Sequence, residues 1–216
     1  MQRDLAEISD GKIYGWNDMV RVSCNDCAGC SSCCRDMADT VKVDPYDAFS
    51  LTKGLEKEFE ALLSKEIALG VEEGMILPYL KTDGACVFLN QEGRCKIHAF
   101  RPGICRLFPL GRIYEDGKVS YILQTGECEK QNCSKVKVGK WLNIPDRTRY
   151  EAFAMAWYRL RKEAQAVIAA QQDEELVKTL NMFLLHNFYL KPYDTQADFY
   201  SQFEKRLGQA YQILRA

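Results

Sequence analysis

Cys24-Asn25-Asp26-Cys27-Ala28-Gly29-Cys30-Ser31-Ser32-Cys33-Cys34-Arg35 places five thiols within eleven residues. Packing gives no reason for that density, since a free cysteine is retained chiefly for its reactivity rather than its bulk. Thiolates are soft ligands for zinc, iron and iron–sulfur clusters. The run reads in two ways. Cys24-x2-Cys27-x2-Cys30-x3-Cys34 has the spacing of a bacterial ferredoxin loop, with Arg35 where that loop carries proline. Cys27-x2-Cys30-x2-Cys33-Cys34 leaves Cys24 spare. Both readings include Cys27, Cys30 and Cys34. In either, Gly29 can take the positive φ that a loop wrapped around a metal needs.

Five more cysteines follow the run: Cys86, Cys95 and Cys105, then Cys128 and Cys133. Ten thiols exceed the four that one zinc or one [4Fe–4S] cluster takes. The surplus implies two adjacent sites or free thiols beside one. The expectation is that the 24–34 run is half of a composite centre completed by residues 86–133.

The 216 residues allow one large domain, or a domain with an appendage, and are enough to bury a core without disulfide staples. A net charge of −1 gives no overall bias towards nucleic acid or an anionic membrane, and neither is expected as a partner. No apolar run reaches the length of a membrane span. Met1–Ile8 has no apolar core of a signal peptide. The expected compartment is therefore the cytoplasm, where thiols stay reduced and cysteines read as metal ligands or redox groups rather than a disulfide framework.

Outward from the run, Met19–Ser23 alternates weakly as a strand. Asp44-Pro45 reads as a cap and first helical residue, with the helix ending near Thr52 before Gly54. Leu55, Phe59, Leu62, Leu63, Ile67 and Leu69 predict a second helix over 55–69. Ile76–Leu80 looks extended. Cys86–Leu89 and Cys95–His98, joined by Asn90-Gln91-Glu92-Gly93-Arg94, predict a hairpin that brings Cys86 and Cys95 together. Arg101-Pro102-Gly103-Ile104-Cys105-Arg106-Leu107-Phe108-Pro109 is a proline-bracketed loop. Arg112–Tyr114 and Val119–Leu123 flank the turn Glu115-Asp116-Gly117-Lys118. After Pro145 three amphipathic helices are predicted: 146–171 behind Asp146, a second behind Asp173, and a third opened by Thr195-Gln196-Ala197-Asp198 at capping-box spacing.

Arg101 and Arg106 flank Cys105 and are candidates to hold a cofactor, an anionic substrate or cluster sulfurs. The competing reading makes them loop-fixing ion pairs. His98 stands at Cys95-x2-His spacing, where it is either a ligand or structural. Asp44 and Asp47 are candidate bases, though capping explains Asp44. No G-x-G-x-x-G, G-x-x-x-x-G-K-[ST] or G-x-S-x-G motif occurs.

Four blocks in order carry a family pattern: Cys27-Ala28-Gly29-Cys30-Ser31-Ser32-Cys33-Cys34-Arg35, Gly84-Ala85-Cys86-Val87-Phe88-Leu89, Cys95-Lys96-Ile97-His98, and Arg101 through Pro109. They resemble the YkgJ-type cysteine-cluster family, described as zinc- or iron-chelating, whose domain is related to one in flagellin lysine N-methylases. The resemblance covers roughly residues 20–140. It implies that Cys27, Cys30, Cys33, Cys34, Cys86, Cys95 and Cys105 hold the motif positions. Cys24 lies outside that motif, and Cys128 and Cys133 follow its last block.

The expected architecture is small, irregular α+β. A cysteine-rich metal-binding module over 1–140, built of short hairpins and helices, is followed by a helical segment over 141–216 of about three helices packed on it. The expected function is metal binding through an iron–sulfur cluster, with Zn2+ the other choice, in a redox, metal-handling or partner-binding role. A cluster-dependent protein-modifying enzyme such as a lysine N-methylase is the second reading. A zinc-stapled interaction module is the third.

Overall fold

The computed structural model describes residues 5–23, 30–35, 37, 40–128 and 133–215. In chain order the elements are α1 (Leu5–Ile8), β1 (Ser9–Tyr14), β2 (Met19–Ser23), α2 (Pro45–Leu55), α3 (Phe59–Leu62), β3 (Ile67–Glu72), β4 (Met75–Leu80), β5 (Thr82–Asp83) and β6 (Ala85–Cys86). Then come α4 (Gly103–Leu107), β7 (Leu110–Glu115), β8 (Lys118–Gln124), β9 (Ser134–Lys137), α5 (Val138–Leu142), α6 (Arg147–Ala170), α7 (Glu174–Leu185) and α8 (Phe199–Leu214). This is the expected small α+β class. Among the described residues no helix is long and apolar enough to cross a membrane.

The sheets are small and antiparallel: β1-β8-β7, β2-β9, β3-β4 and β5-β6. The β7-β8 hairpin turns on Asp116 and Gly117, both at positive φ, which suits the right-handed twist of its strands. Capping decides where the long helices start. Asp146 accepts from Arg149 N at 3.1 Å, and Asp173 accepts from Glu175 N at 2.9 Å.

One hydrophobic core runs from Val20 to Ala210 and includes residues of both the strands and the C-terminal helices. Helix α6 lies on β8 and β4, α7 on β4, and α8 on α6 and α2. Polar ties fix these contacts. Asn181 of α7 accepts from Ile76 N at 2.8 Å and donates to Gly74 O at 3.0 Å, closing the β3-β4 hairpin. Arg112 of β7 donates to Tyr150 Oη of α6 at 2.7 Å, and Tyr114 stacks on Tyr158 at 4.2 Å. Tyr189 donates to Val43 O at 3.0 Å.

Four expectations are corrected. The predicted helix over 55–69 is only α3. Ser64 takes φ +68°, and Ile67–Glu72 pairs residue by residue with Met75–Leu80. Leu62 and Ile67 are buried either way, so their helical spacing did not decide the conformation; the neighbouring strand did. Gly54 does not end α2, which runs on to Leu55 and is capped by Glu56 at φ +54°. The glycine is needed because a Cβ there would stand 2.5 Å from the Phe100 ring. The predicted strands around Asn90 reduce to one bridge, Leu89↔Cys95, with Lys96 N donating to Phe88 O at 2.8 Å. Asp198, not Thr195, caps α8, accepting from Ser201 N at 2.8 Å. β1, with its polar run Ser9-Asp10-Gly11-Lys12, carried no strand signal; pairing with β8 makes it one.

Phe203 is 2% exposed and meets Phe153 edge-to-face at 4.7 Å. Phe203→Ala should lower unfolding free energy by about 3–5 kcal/mol in urea titrations, whereas Leu176→Ala on the surface should cost less than about 0.5 kcal/mol. Hydrogen bonds from Ser201 and Arg149 hold the Asp198 carboxyl down to about 2. A depressed carboxyl stabilises the fold above its unfolded value of about 4 and loses that effect as pH falls towards about 2. Asp198→Ala should therefore lower the urea midpoint at pH 6, and the gap to the parent chain should narrow steadily below pH about 4.

Candidate metal centre

Three stretches of irregular backbone carry the thiols to one place. Ser32–Cys34 forms a single 3-10 turn, with Cys34 N donating to Ser31 O at 2.9 Å. Arg35 then bridges Ala85, which lays Cys34 next to Cys86 at the end of β6. The Leu89↔Cys95 bridge folds Cys95 back over Cys86. Cys105 sits in the one-turn helix α4, between Pro102 and the cis Phe108-Pro109 bond. Cys30, Cys33, Cys34, Cys95 and Cys105 line a single cavity of about 770 Å3; Cys86 is not part of the lining but is near enough to act on Cys34, Cys95 and Cys105.

The electrostatics show how close these groups are. Cys33 accepts a hydrogen bond from Cys34 and is pulled down to about 6, with Arg101 assisting and burial opposing. Cys34 is pushed up, first by that same bond and by burial, then by Cys33, Cys95 and Cys86. Burial is the main cause raising Cys86, Cys95 and Cys105; neighbouring thiols add to it in each case. One proton is thus shared by the Cys33–Cys34 pair, and further ionisation is opposed by thiols already near one another.

Arg101 and Arg106 divide their work. Arg106 donates to Arg101 O at 3.1 Å and Ala99 O at 2.6 Å, and so braces the loop before α4. Arg101 faces the cavity. Its Nη1 meets His98 Nε2 at 2.6 Å. A guanidinium only donates, so that imidazole nitrogen accepts and the ring is neutral. Among the described residues, the buried Arg101 Nε has no hydrogen-bond partner.

Behind α4 lies Asp47, which the sequence offered only as a candidate base beside the cap Asp44. Asp44 and Asp47 form a reciprocal capping box at the start of α2: Asp47 N donates to Asp44 Oδ1 at 2.8 Å and Asp44 N to Asp47 Oδ2 at 3.1 Å. Asp47, 3% exposed, uses its other oxygen to accept from Gly103 N at 2.7 Å. Burial and the neighbouring Asp44 charge push its carboxyl well up. Asp47 therefore fixes the first residue of the helix that presents Cys105, and its place at a helix start explains why it is no evident base.

The donor set fits a thiophilic metal. Six thiols, Cys30, Cys33, Cys34, Cys86, Cys95 and Cys105, are free and partly buried around one wall. The unpartnered Arg101 Nε is a donor that thiolate or sulfide sulfur can accept. Among the described residues, however, no three Cys, His, Asp or Glu side chains stand close enough together to hold a metal ion as placed. Cys128 is a free, half-buried thiol outside the cavity lining, and Cys133 is disulfide-bonded. Cys24 and Cys27 lie outside the described residues.

The Asp47–Gly103 bond gives a discriminating pair of variants. Asp47→Asn turns an amide donor towards one of the two N–H groups the carboxylate accepts. Asp44→Asn disturbs the same cap but leaves Gly103 alone. With Co(II) as a spectroscopic probe, Asp47→Asn should bind about 10–100-fold more weakly and shift the thiolate-to-metal absorption, as loss of an outer-shell partner does. Asp44→Asn should lose comparable thermal stability and keep the parent spectrum.

No curated protein and no solved structure matches the chain. A family model does match, over residues 26–137, just over half of the length. That span opens inside the first cysteine run, takes in Cys86, Cys95 and Cys105, and closes with β9. The chain belongs to the CxxCxxCC family, whose description is "Putative zinc- or iron-chelating domain".

Proposed function

We propose that the chain holds an iron–sulfur cluster, or failing that a zinc ion, through thiolates drawn from Cys27, Cys30, Cys33, Cys34, Cys86, Cys95 and Cys105. The observation that carries this reading is the arrival of thiols from three separate segments at one cavity wall. The ferredoxin-like spacing of the first run and the excess of thiols over four favour iron–sulfur. Cys24, Cys128 and Cys133 are the further candidates, enough with Cys27 for a second site once Cys133 is reduced. A bound cluster supplies one-electron chemistry, or an open iron; zinc in a closed site supplies rigidity alone. Arg101 offsets the negative charge that several thiolates bring, and Asp47 holds α4 in place. The role is redox, metal handling or partner recognition, in a cytoplasm that keeps the free thiols of the cavity reduced, while Cys133 is disulfide-bonded.

A second reading, an enzyme that modifies a protein or small molecule beside the cluster, draws on the size of the cavity, which exceeds what a metal needs.

Anaerobic purification followed by iron, zinc and sulfide analysis with an absorption spectrum tests the centre. The expected result is about four iron and four sulfide per cluster, with a broad band near 400 nm. Stoichiometric zinc without colour would select the other metal, and protein carrying neither would end the proposal. Cys34→Ser and Cys95→Ser should each lose most of the metal.

A further inference from the structure

The cavity beside the thiols is too large and too apolar to serve a metal alone. At about 770 Å3 it lies inside the range of about 300–1,000 Å3 typical of small-molecule sites. A single metal ion held by thiolates would take up only a small part of that volume. The apolar part of the lining is Met37, Val41, Ile104, Phe108 and Leu110. Ile104 is 39% exposed although apolar, and its place on the cavity makes it a lip rather than core.

The polar side chains of the lining are Thr40, Arg94, His98, Arg101, Gln124 and Glu127, and its two cations are arginines. Arg94 and Arg101 both line it, and among the described residues neither is ion-paired with a carboxylate. Arg94 is exposed. Of the five N–H donors of Arg101, one meets His98 and Nε is buried, which leaves donors on the same guanidinium for an acceptor in the cavity. Among the described residues the lining holds one acid, Glu127, which offsets part of this positive charge and disfavours a dianion.

We propose that the cavity binds a small monocarboxylic acid with an apolar body. The carboxylate lies against Arg94 and Arg101, where the planar fork of a guanidinium matches its two oxygens. The body packs against Met37, Val41, Ile104, Phe108 and Leu110. The ligand so placed lies directly beside the thiol wall. The proposal uses the metal-centre reading only to assign that wall; ligand binding itself does not need a particular metal.

Calorimetry on the metal-loaded protein, with 4-phenylbutyrate and 4-phenylbutanol as probes, tests it. The two differ in the acid group and share the apolar body. The acid should bind at one site per chain and at least about tenfold more tightly than the alcohol, as a charge-assisted pair implies. Arg101→Gln should remove that preference and leave the alcohol unchanged. Ile104→Ser should weaken both probes alike. Metal content is measured on every variant. If Arg101→Gln fails to load metal, Arg94→Gln, an exposed side chain, carries the same test. Equal binding of acid and alcohol, no saturable binding of either, or an acid preference that survives loss of both arginines would overturn the proposal. A protein that contains no metal yet prefers the acid through these arginines would support the pocket and refute the metal centre, so the two fail separately.

Discussion

The amide of Gly103 donates to a carboxylate that is almost sealed from water, and this bond ties the start of α4 to the start of α2. Asp47 belongs to α2, whose other faces meet α8 and the aromatic cluster around Tyr46 and Phe199. Gly103 opens α4, which carries Cys105 to the thiol wall. A buried N–H left without an acceptor costs about 1–3 kcal/mol, so the loop cannot drift off Asp47 cheaply. Nor can the position take a larger residue easily: a Cβ on Gly103 would stand 3.0 Å from Tyr150 Oη. The helical core thereby sets the height and orientation of a cysteine whose own surroundings are a single helical turn between prolines.

What the sequence disclosed and what it hid follow a physical line. The turn Asp116-Gly117 and the caps Asp146 and Asp173 are local devices: their partners lie within a few residues, and β7-β8, α6 and α7 appear where those residues put them. The grouping of Cys86, Cys95 and Cys105 with the first run was readable for a different reason, since thiols at that density have few other uses. The strand Ile67–Glu72 was hidden because its apolar residues satisfy a helix as well as a strand, and only the pairing with β4 chooses between them. The role of Asp47 was half hidden for a similar reason. Its place in the first turn of α2 is visible in the sequence, while the donor to its other oxygen, Gly103 N, lies 56 residues away in the chain. The separation of Arg101 from Arg106 was equally unreadable, because both flank Cys105 and differ only in what the fold puts in front of them.

The division of labour between regular and irregular backbone explains how a site so poor in secondary structure holds its shape. The fully buried side chains lie mostly on α2, β4, β8, α6 and α8, while the thiols ride on a 3-10 turn, isolated bridges and a one-turn helix. Cys86, Cys95 and Cys105 pack against the core without forming it. The fold therefore has a source of stability apart from any metal, unlike a small zinc finger, whose folding free energy is largely its binding free energy. Metal would tighten the thiol wall and leave the helices where they are.

That independence bears on the chemistry open to the site. A wall in which burial and neighbouring thiols push Cys86, Cys95 and Cys105 up, while the bond from Cys34 pulls Cys33 down with the cationic Arg101 beside it, is poised to exchange protons for a metal. The remainder of the cavity, apolar and bounded by arginines, is not consumed in that exchange. A centre meant only to staple the chain would gain by closing over its metal, since an open cavity beside a structural site adds unpacked surface without adding ligands. The space kept open here beside the thiols argues for a centre that meets a second molecule.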